Sequence, residues 1–241
     1  MSRRPFSWPR PLDGWRRFAG EVGVIVLGVL IALVVQQVAQ AVKDRSDAAG
    51  ARDGIRGEIA FDLADLGNRA RTQECIDRRL AEIEGLLVRA AANGGYAAPG
   101  WIGRPQVWDL SHARFDGATE SGRASLLRPE EHATFADLYA GLESITKSEE
   151  REQVAWATLR GLEALPALSA SEIGPYRAAL QDAKLQNWRI RVNYTQSMEA
   201  ARRLGIAAQR SAASGSQSVC LPIGTTRANA LRRTGGAYGE P

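Results

Sequence analysis

Between Glu21 and Lys43 the chain carries no charged residue, and this stretch constrains the fold more than any other. Val22 to Val42 reads VGVIVLGVLIALVVQQVAQAV. A helix needs roughly 20 mostly apolar residues to cross the hydrocarbon core of a bilayer. The run has that length, but unevenly: Val22 to Val35 is almost purely aliphatic, whereas Gln36, Gln37 and Gln40 make its last third more polar. Three readings are open. An apolar helix could be the core of a soluble protein. An aliphatic run followed by the small-x-small site Ala39-Gln40-Ala41 could be a signal peptide cleaved after Ala41. An uncleaved anchor accounts for more, because the run is long for a signal peptide and a helical pattern resumes soon after it.

The flanks give an orientation. Arg3, Arg4, Arg10, Arg16 and Arg17 precede the run, against Asp13 and Glu21, while Lys43, Arg45 and Arg52 after it are mixed with Asp44, Asp47 and Asp53. Lys and Arg stay on the cytoplasmic side. The expectation is a single-pass protein of the inner, cytoplasmic membrane, with its N-terminus cytoplasmic and its C-terminal domain periplasmic. Trp8, Trp15 and Phe18 suit the inner interface, where amphipathic aromatics settle. The same arginines explain most of the pI of about 9.4. Of the net charge of +4, the first 42 residues supply three units, so the rest of the chain is close to balanced. Nucleic acid is therefore not an expected partner.

Beyond the run the pattern is helical. From Ser46 to Ala92, Ile55, Ile59, Leu63, Leu66, Ala70, Ile76, Leu80, Ile83 and Leu87 recur mostly at three and four residues. Asn93-Gly94-Gly95 is a stop signal. Tyr96 to Arg114 is irregular, with prolines, glycines, Trp101 and Trp108, and a loop of this length is often functional. The simpler reading is that Trp101, Trp108 and Phe115 plug the loop onto the helices. Asp116 to Leu127 reads as a short helix capped by Asp116. Pro129-Glu130-Glu131 opens a longer one, whose pattern thins through Lys147 to Glu152, read as a solvated face, and which Pro166 ends. Ser169 or Ser171 caps the next helix, which has Ile173, Leu180, Trp188, Val192 and Tyr194 among its apolar residues and Gly205 as its stop. From Ser211 onward only Val219 to Ile223 looks able to dock, and Arg232 to Pro241 reads as disordered. No strand-period stretch of any length is present. The fold class expected is all-α: an N-terminal transmembrane helix, then an antiparallel bundle of three or four long helices with an ordered Trp-rich loop.

Chemistry-bearing residues are sparse. His112 and His132 lack the spacing that presents metal ligands on one helical face, and His132 reads as a solvated helix residue. There is no phosphate loop or nucleophile elbow, and no nucleophile–base–orienter set can be assembled. No catalytic residue, metal or cofactor is expected. Cys75 and Cys220 are an even pair in a chain predicted to face an oxidising compartment, which points to a disulfide. The most unusual cluster is Asp109, His112, Arg114, Asp116, Glu120 and Arg123, next to Trp101 and Trp108; folded into one groove it would be a binding surface. Within the anchor, Gly28, Ala32, Gln36 and Gln40 lie four residues apart on one helical face. Small residues permit close approach and glutamines can bond across it, so a homodimer through this stripe is expected.

The stretch Glu21 to Leu33, with its IVLGVLIAL core, resembles the opening of a family of uncharacterised bacterial single-span membrane proteins that share a GVLIAL-type anchor and a helical exported domain. CIDRRL (Cys75–Leu80), WIGRPQVW (Trp101–Trp108) and SVCLP (Ser218–Pro222) resemble landmarks of that family. The resemblance implies a membrane-anchored domain of unknown function and no particular activity. The organisation expected is a basic cytoplasmic tail (1–20), an anchor (21–43), a periplasmic helical-bundle domain (44–210) and a C-terminal tail (211–241) docked near Cys220. The function expected is a non-enzymatic scaffold, adaptor or binding module of the cell envelope, with the lipid bilayer and an envelope protein as partners. The alternatives are a small-molecule sensor or ligand-binding bundle using the Trp101–Arg123 region, and a soluble exported protein released by cleavage near Ala41.

Overall fold

A computed structural model describes residues 14–93, 96–209 and 218–234. The tail arginines Arg3, Arg4 and Arg10, Trp8, the Gly94-Gly95 stop and the segments 210–217 and 235–241 lie outside the described residues. Among those described, regular structure is entirely helical. The order is α1 (Gly14–Arg71), α2 (Gln73–Asn93), α3 (Ala113–Glu120), α4 (Pro129–Arg160), α5 (Ile173–Arg203) and α6 (Arg227–Arg233). Short 3-10 turns occupy Arg123–Leu126, Gly161–Ala164 and Ser218–Cys220. The chain divides into two compact units, Met1–Ala49 and Gly50–Pro241.

The first unit is the helical run that begins at Gly14. Its aliphatic side chains point outward on every side: Val24, Ile25, Leu27, Leu30, Val34 and Val35 are all exposed. It contains a window with a mean hydropathy of 2.6 of which none is buried, long and apolar enough to cross a membrane. Trp15 and Phe18, also exposed, lie with ring centroids 6.0 Å apart. Gly28, Ala32, Gln36 and Gln40 are exposed, and Gln40 Nε2 donates to Asp44 Oδ1 one turn on (2.7 Å).

In the second unit, hydrophobic periodicity builds an antiparallel bundle. Ile55, Ile59, Leu63 and Leu66 of α1 form one buried face and pack with Phe135, Leu138, Leu142 and Ile145 of α4 and Ile190 and Ala201 of α5. A second apolar cluster joins Ile76, Leu80, Ile83 and Leu87 of α2, Trp156 and Leu159 of α4, and Ile173, Leu180 and Ala183 of α5. Thus the start of α4 meets the end of α5, and the end of α4 meets its start, as antiparallel neighbours must. The α1 segment and α2 follow one another along the same pair.

Several boundaries depart from expectation for local reasons. The helical run from Ser46 is broken at Thr72. Its N–H and its Oγ1 both donate to Arg69 O (2.9 and 2.8 Å), and this side-chain bond competes with the helical ladder. Asp116 is not a cap: α3 starts at Ala113 with His112 in the capping position. The expected single helix to Leu127 is two pieces, because Gly122 takes a left-handed φ of 72° between α3 and the 3-10 turn. Neither Ser169 nor Ser171 caps α5. Glu172 precedes its first residue and accepts hydrogen bonds from Ser169 N–H and Oγ instead (2.9 and 2.5 Å). Trp188 is 52% exposed rather than packed. Arg232 and Arg233 belong to α6, which packs Ala230 against Trp101 and Leu221. Pro129, at the first turn of α4, and Gly205, with φ 66° after α5, sit where sequence put them.

Candidate functional site

The two apolar clusters are separated by a buried polar layer. Each element passing through contributes to it: Arg69 and Thr72 where α1 breaks, Ser148, Glu149 and Glu152 in mid-α4, Gln186 and Asn187 in mid-α5. Lys147 to Glu152 is therefore not a solvated face. Lys147, Glu150 and Arg151 are exposed, but Ser148, Glu149 and Glu152 continue the inward stripe of Leu142 and Ile145 towards Trp156. The apolar pattern thins there because core positions are polar.

Arg69, 4% exposed, organises the layer. Its Nη2 donates to Glu152 Oε1 (2.8 Å) and to Asn187 Oδ1 (3.3 Å). Asn187 Nδ2 donates to Asp77 Oδ1 (3.1 Å), and Gln73 Nε2 donates to both Asn187 and Asp77. Burial pushes the Glu152 carboxyl up from its ordinary range, against the pull of the Arg69 charge. Burial raises Glu149 to about 7; Arg69 and the Trp108 backbone N–H oppose the rise and the Glu152 charge adds to it. A buried ion pair of this kind is weak evidence for stability, but removing one partner costs about 3–5 kcal/mol because the other charge is left uncompensated. A recess of about 200 Å³ opens beside Arg69, between α1 and α5.

A second polar group anchors the irregular segment Tyr96–His112 to α1. Glu58 accepts from Tyr139 Oη (2.6 Å), Ser111 Oγ (2.7 Å) and Arg114 N–H (3.0 Å). Burial pushes its carboxyl up, but these donors together hold it below its ordinary value. One turn on, Asp62 is fully buried and accepts from Ser111 N–H (3.2 Å). Burial lifts Asp62 to about 7, aided by the nearby charges of Glu58, Asp65 and Asp109 against that one N–H bond. Tyr139 stacks on Phe115 (centroids 4.7 Å apart) and lies 5.4 Å from His112.

The surface expected from sequence is divided by this arrangement. Asp109, Arg114, Asp116, Glu120 and Arg123 are exposed, and His112 is half-buried against Tyr139. His132 is half-buried too, 5.9 Å from Phe115, rather than solvated. Trp108 packs half-buried on the first apolar cluster. Trp101 is elsewhere, buried with Leu221 and Ala230. The eight residues do not form one groove. Glu58, Asp62 and Tyr139 carry the polar bonds of this region, and sequence reasoning left them out. A signal existed: Glu58 and Asp62 are four apart and immediately precede Ile59 and Leu63, so they share one edge of the inward stripe.

The three landmark segments converge on one node. Cys75 and Cys220 form a disulfide with Cα atoms 4.8 Å apart. Arg79, 1% exposed, donates to Trp101 O (2.8 Å), Ile102 O and Leu221 O, and pairs with Glu82 (2.8 Å). Burial lowers its pKa from the ordinary guanidinium value, with Glu82 opposing. Trp101 N–H donates to Ile223 O (2.9 Å) and Trp101 Nε1 to Ser218 O (3.0 Å). Gly103 has φ 67°, and a side chain there would start 2.6 Å from Ser218 O, so only glycine permits this approach. The node is a structural clasp, since its donors are spent on carbonyls. Comparison with family models, with curated proteins and with solved structures finds no match for this chain.

Proposed function

We propose that the chain is a single-pass inner-membrane protein, with its N-terminus cytoplasmic and its helical bundle in the periplasm. There it serves as a non-enzymatic scaffold, adaptor or binding module of the envelope. The observation that carries this reading is the segment Val22–Val42, aliphatic on every side as far as Val35 and exposed throughout. In water such a surface would be a severe aggregation hazard; in a bilayer it is the favourable state. The arginine-rich leader supports the orientation, and the Cys75–Cys220 bond suits an oxidising compartment. Membership of the family of single-span proteins with a GVLIAL-type anchor is part of the same proposal.

The test is to express the full chain with a C-terminal alkaline phosphatase, fractionate the cells and sequence the N-terminus of the product. Retention in carbonate-washed membranes, an active phosphatase and an uncleaved N-terminus are expected. A mature chain starting at Val42 in the soluble fraction would replace the anchored protein with an exported soluble one. Cross-linking of the membrane-bound chain is expected to give specific envelope proteins, and a partner-free chain would count against the adaptor role. A second reading, a small-molecule-binding bundle, is favoured by the recess beside Arg69 rather than by the Trp101–Arg123 region.

A further inference from the structure

Between α4 and α5 lies a polar groove of about 400 Å³, which shares no residue with the recess beside Arg69. The two helices run antiparallel, and two close approaches fix their register here. Asn193 Nδ2 donates to Ser144 Oγ (3.1 Å). One turn further along the pair, a side chain at Gly141 would begin 3.0 Å from Ser197 Oγ. Continued by another turn, this register sets Asp137 opposite Ala200. Glycine and alanine leave space where larger side chains would close the seam, and the groove follows that space.

The groups that face this space are acceptors. Ser197 is 3% exposed and lines the groove, and its hydroxyl makes no hydrogen bond among the described residues. Its Oγ faces the open side of Gly141, since a side chain there would touch it. A hydroxyl buried without a partner is unfavourable. Asn193 spends its amide N–H on Ser144, which leaves Oδ1 for the groove. Asp137 is exposed at the rim and enters no ion pair among the described residues. Arg203 lines the groove as well, but it is 70% exposed and paired with Glu199 (3.5 Å). Beyond the lining, exposed Glu130 and Arg202 are opposite in sign, and Arg56 is turned to the carbonyls of Leu204 and Gly205 (2.8 and 3.0 Å). Within the lining, Asp137 is thus a carboxylate with no cation bonded to it. We infer that this groove binds a small primary amine in its ammonium form. An ammonium offers three N–H donors and no acceptor. Asp137 takes one in a charge-assisted bond, and Ser197 Oγ and Asn193 Oδ1 take the others. The same group is carried by a free amine and by the ethanolamine headgroup of a lipid. The inference rests on the bundle alone and holds whichever compartment the bundle occupies.

The experiment titrates the full chain, in uncharged detergent and an amine-free buffer, with ethanolamine and with putrescine, followed by calorimetry. Ethylene glycol, which lacks the charge, and tetramethylammonium, which lacks the N–H donors, are the controls. Saturable binding of at least one of the two amines, and of neither control, is expected. Asp137→Asn, at an exposed position, should weaken binding ~10-fold or more. Ser197→Ala should weaken it ~3-fold or more without lowering the melting temperature, because that hydroxyl has no bond within the fold to lose. Arg203→Gln should leave binding intact or tighten it. The ethanolamine titration is then repeated in nanodiscs of phosphatidylcholine with and without phosphatidylethanolamine. Weaker binding where phosphatidylethanolamine is present upholds the site with a lipid headgroup as its ligand; equal binding upholds it for a free amine. Absence of saturable binding by both amines, equal binding of tetramethylammonium, binding undiminished in Asp137→Asn, or binding lost in Arg203→Gln overturns the inference.

Discussion

At the scale of single residues, the most consequential feature is a carboxyl group in the wrong solvent. Glu149 is 1% exposed, and burial keeps its proton bound up to about pH 7 instead of the ordinary 4.5. Between these values the folded chain holds a proton that the unfolded chain has released. Folded protein then binds more protons than unfolded, so stability falls as pH rises through this window. Asp62, fully buried, acts in the same direction from 3.8 to about 7. For Glu149 alone the shift corresponds to a loss on the order of 3 kcal/mol by pH 8. Glu149→Gln should therefore raise the urea midpoint at pH 8 relative to wild type and flatten the decline between pH 5 and 8. An unchanged pH slope in this variant would show that Glu149 is not the titrating group. The carboxylates held low work the opposite way: Glu131, bonded to Arg52 (2.6 Å), loses its contribution only as pH falls below the ordinary carboxylate range.

At the scale of elements, the C-terminal segment is held by a covalent bond and a buried arginine. The Cys75–Cys220 bond spans 145 residues; on the loop-entropy model, closing such a loop stabilises by about 5 kcal/mol, an upper figure. Cys220→Ser should lower unfolding free energy by a few kcal/mol, and reductant should do the same to wild type but nothing further to the variant. A loss under ~1 kcal/mol would mean that Arg79 and Trp101 hold the clasp without help from the bond. The long apolar helix carries its own prediction. If two copies associate through Gly28, Ala32, Gln36 and Gln40, Gly28→Leu should weaken association in a bilayer by blocking close approach. Association unchanged by that substitution would exclude the stripe as the interface. Gln40 already has a local partner in Asp44, so Gln36 is the better candidate for an interhelical bond.

At the scale of the whole molecule, each unit meets a different solvent problem. The first presents aliphatic side chains outward along a helix long and apolar enough to cross a membrane. The second buries two apolar clusters with a charged layer between them, in place of one continuous core. That layer coincides with the α1–α2 break at Thr72 and with the recess beside Arg69. A polar layer of this kind fixes which positions of three helices face one another, because any slip would strand Arg69 from Glu152 and Asn187.

What sequence alone determined is what short-range physics controls. The helical class, the aliphatic run, the start of α4 at Pro129 and the stop at Gly205 follow from periodicity, proline geometry and backbone conformation, each spanning only a few residues. Only the tertiary structure decided which charges are buried. Glu149, Glu152, Asp62 and Arg79 resemble any solvated helix residue until Arg69, Ser111 and the carbonyls of Trp101, Ile102 and Leu221 are brought beside them. Trp188 reads as core by its type and is exposed because the bundle turns its face outward. The solvation of a side chain depends on partners from distant segments, and no local pattern encodes them.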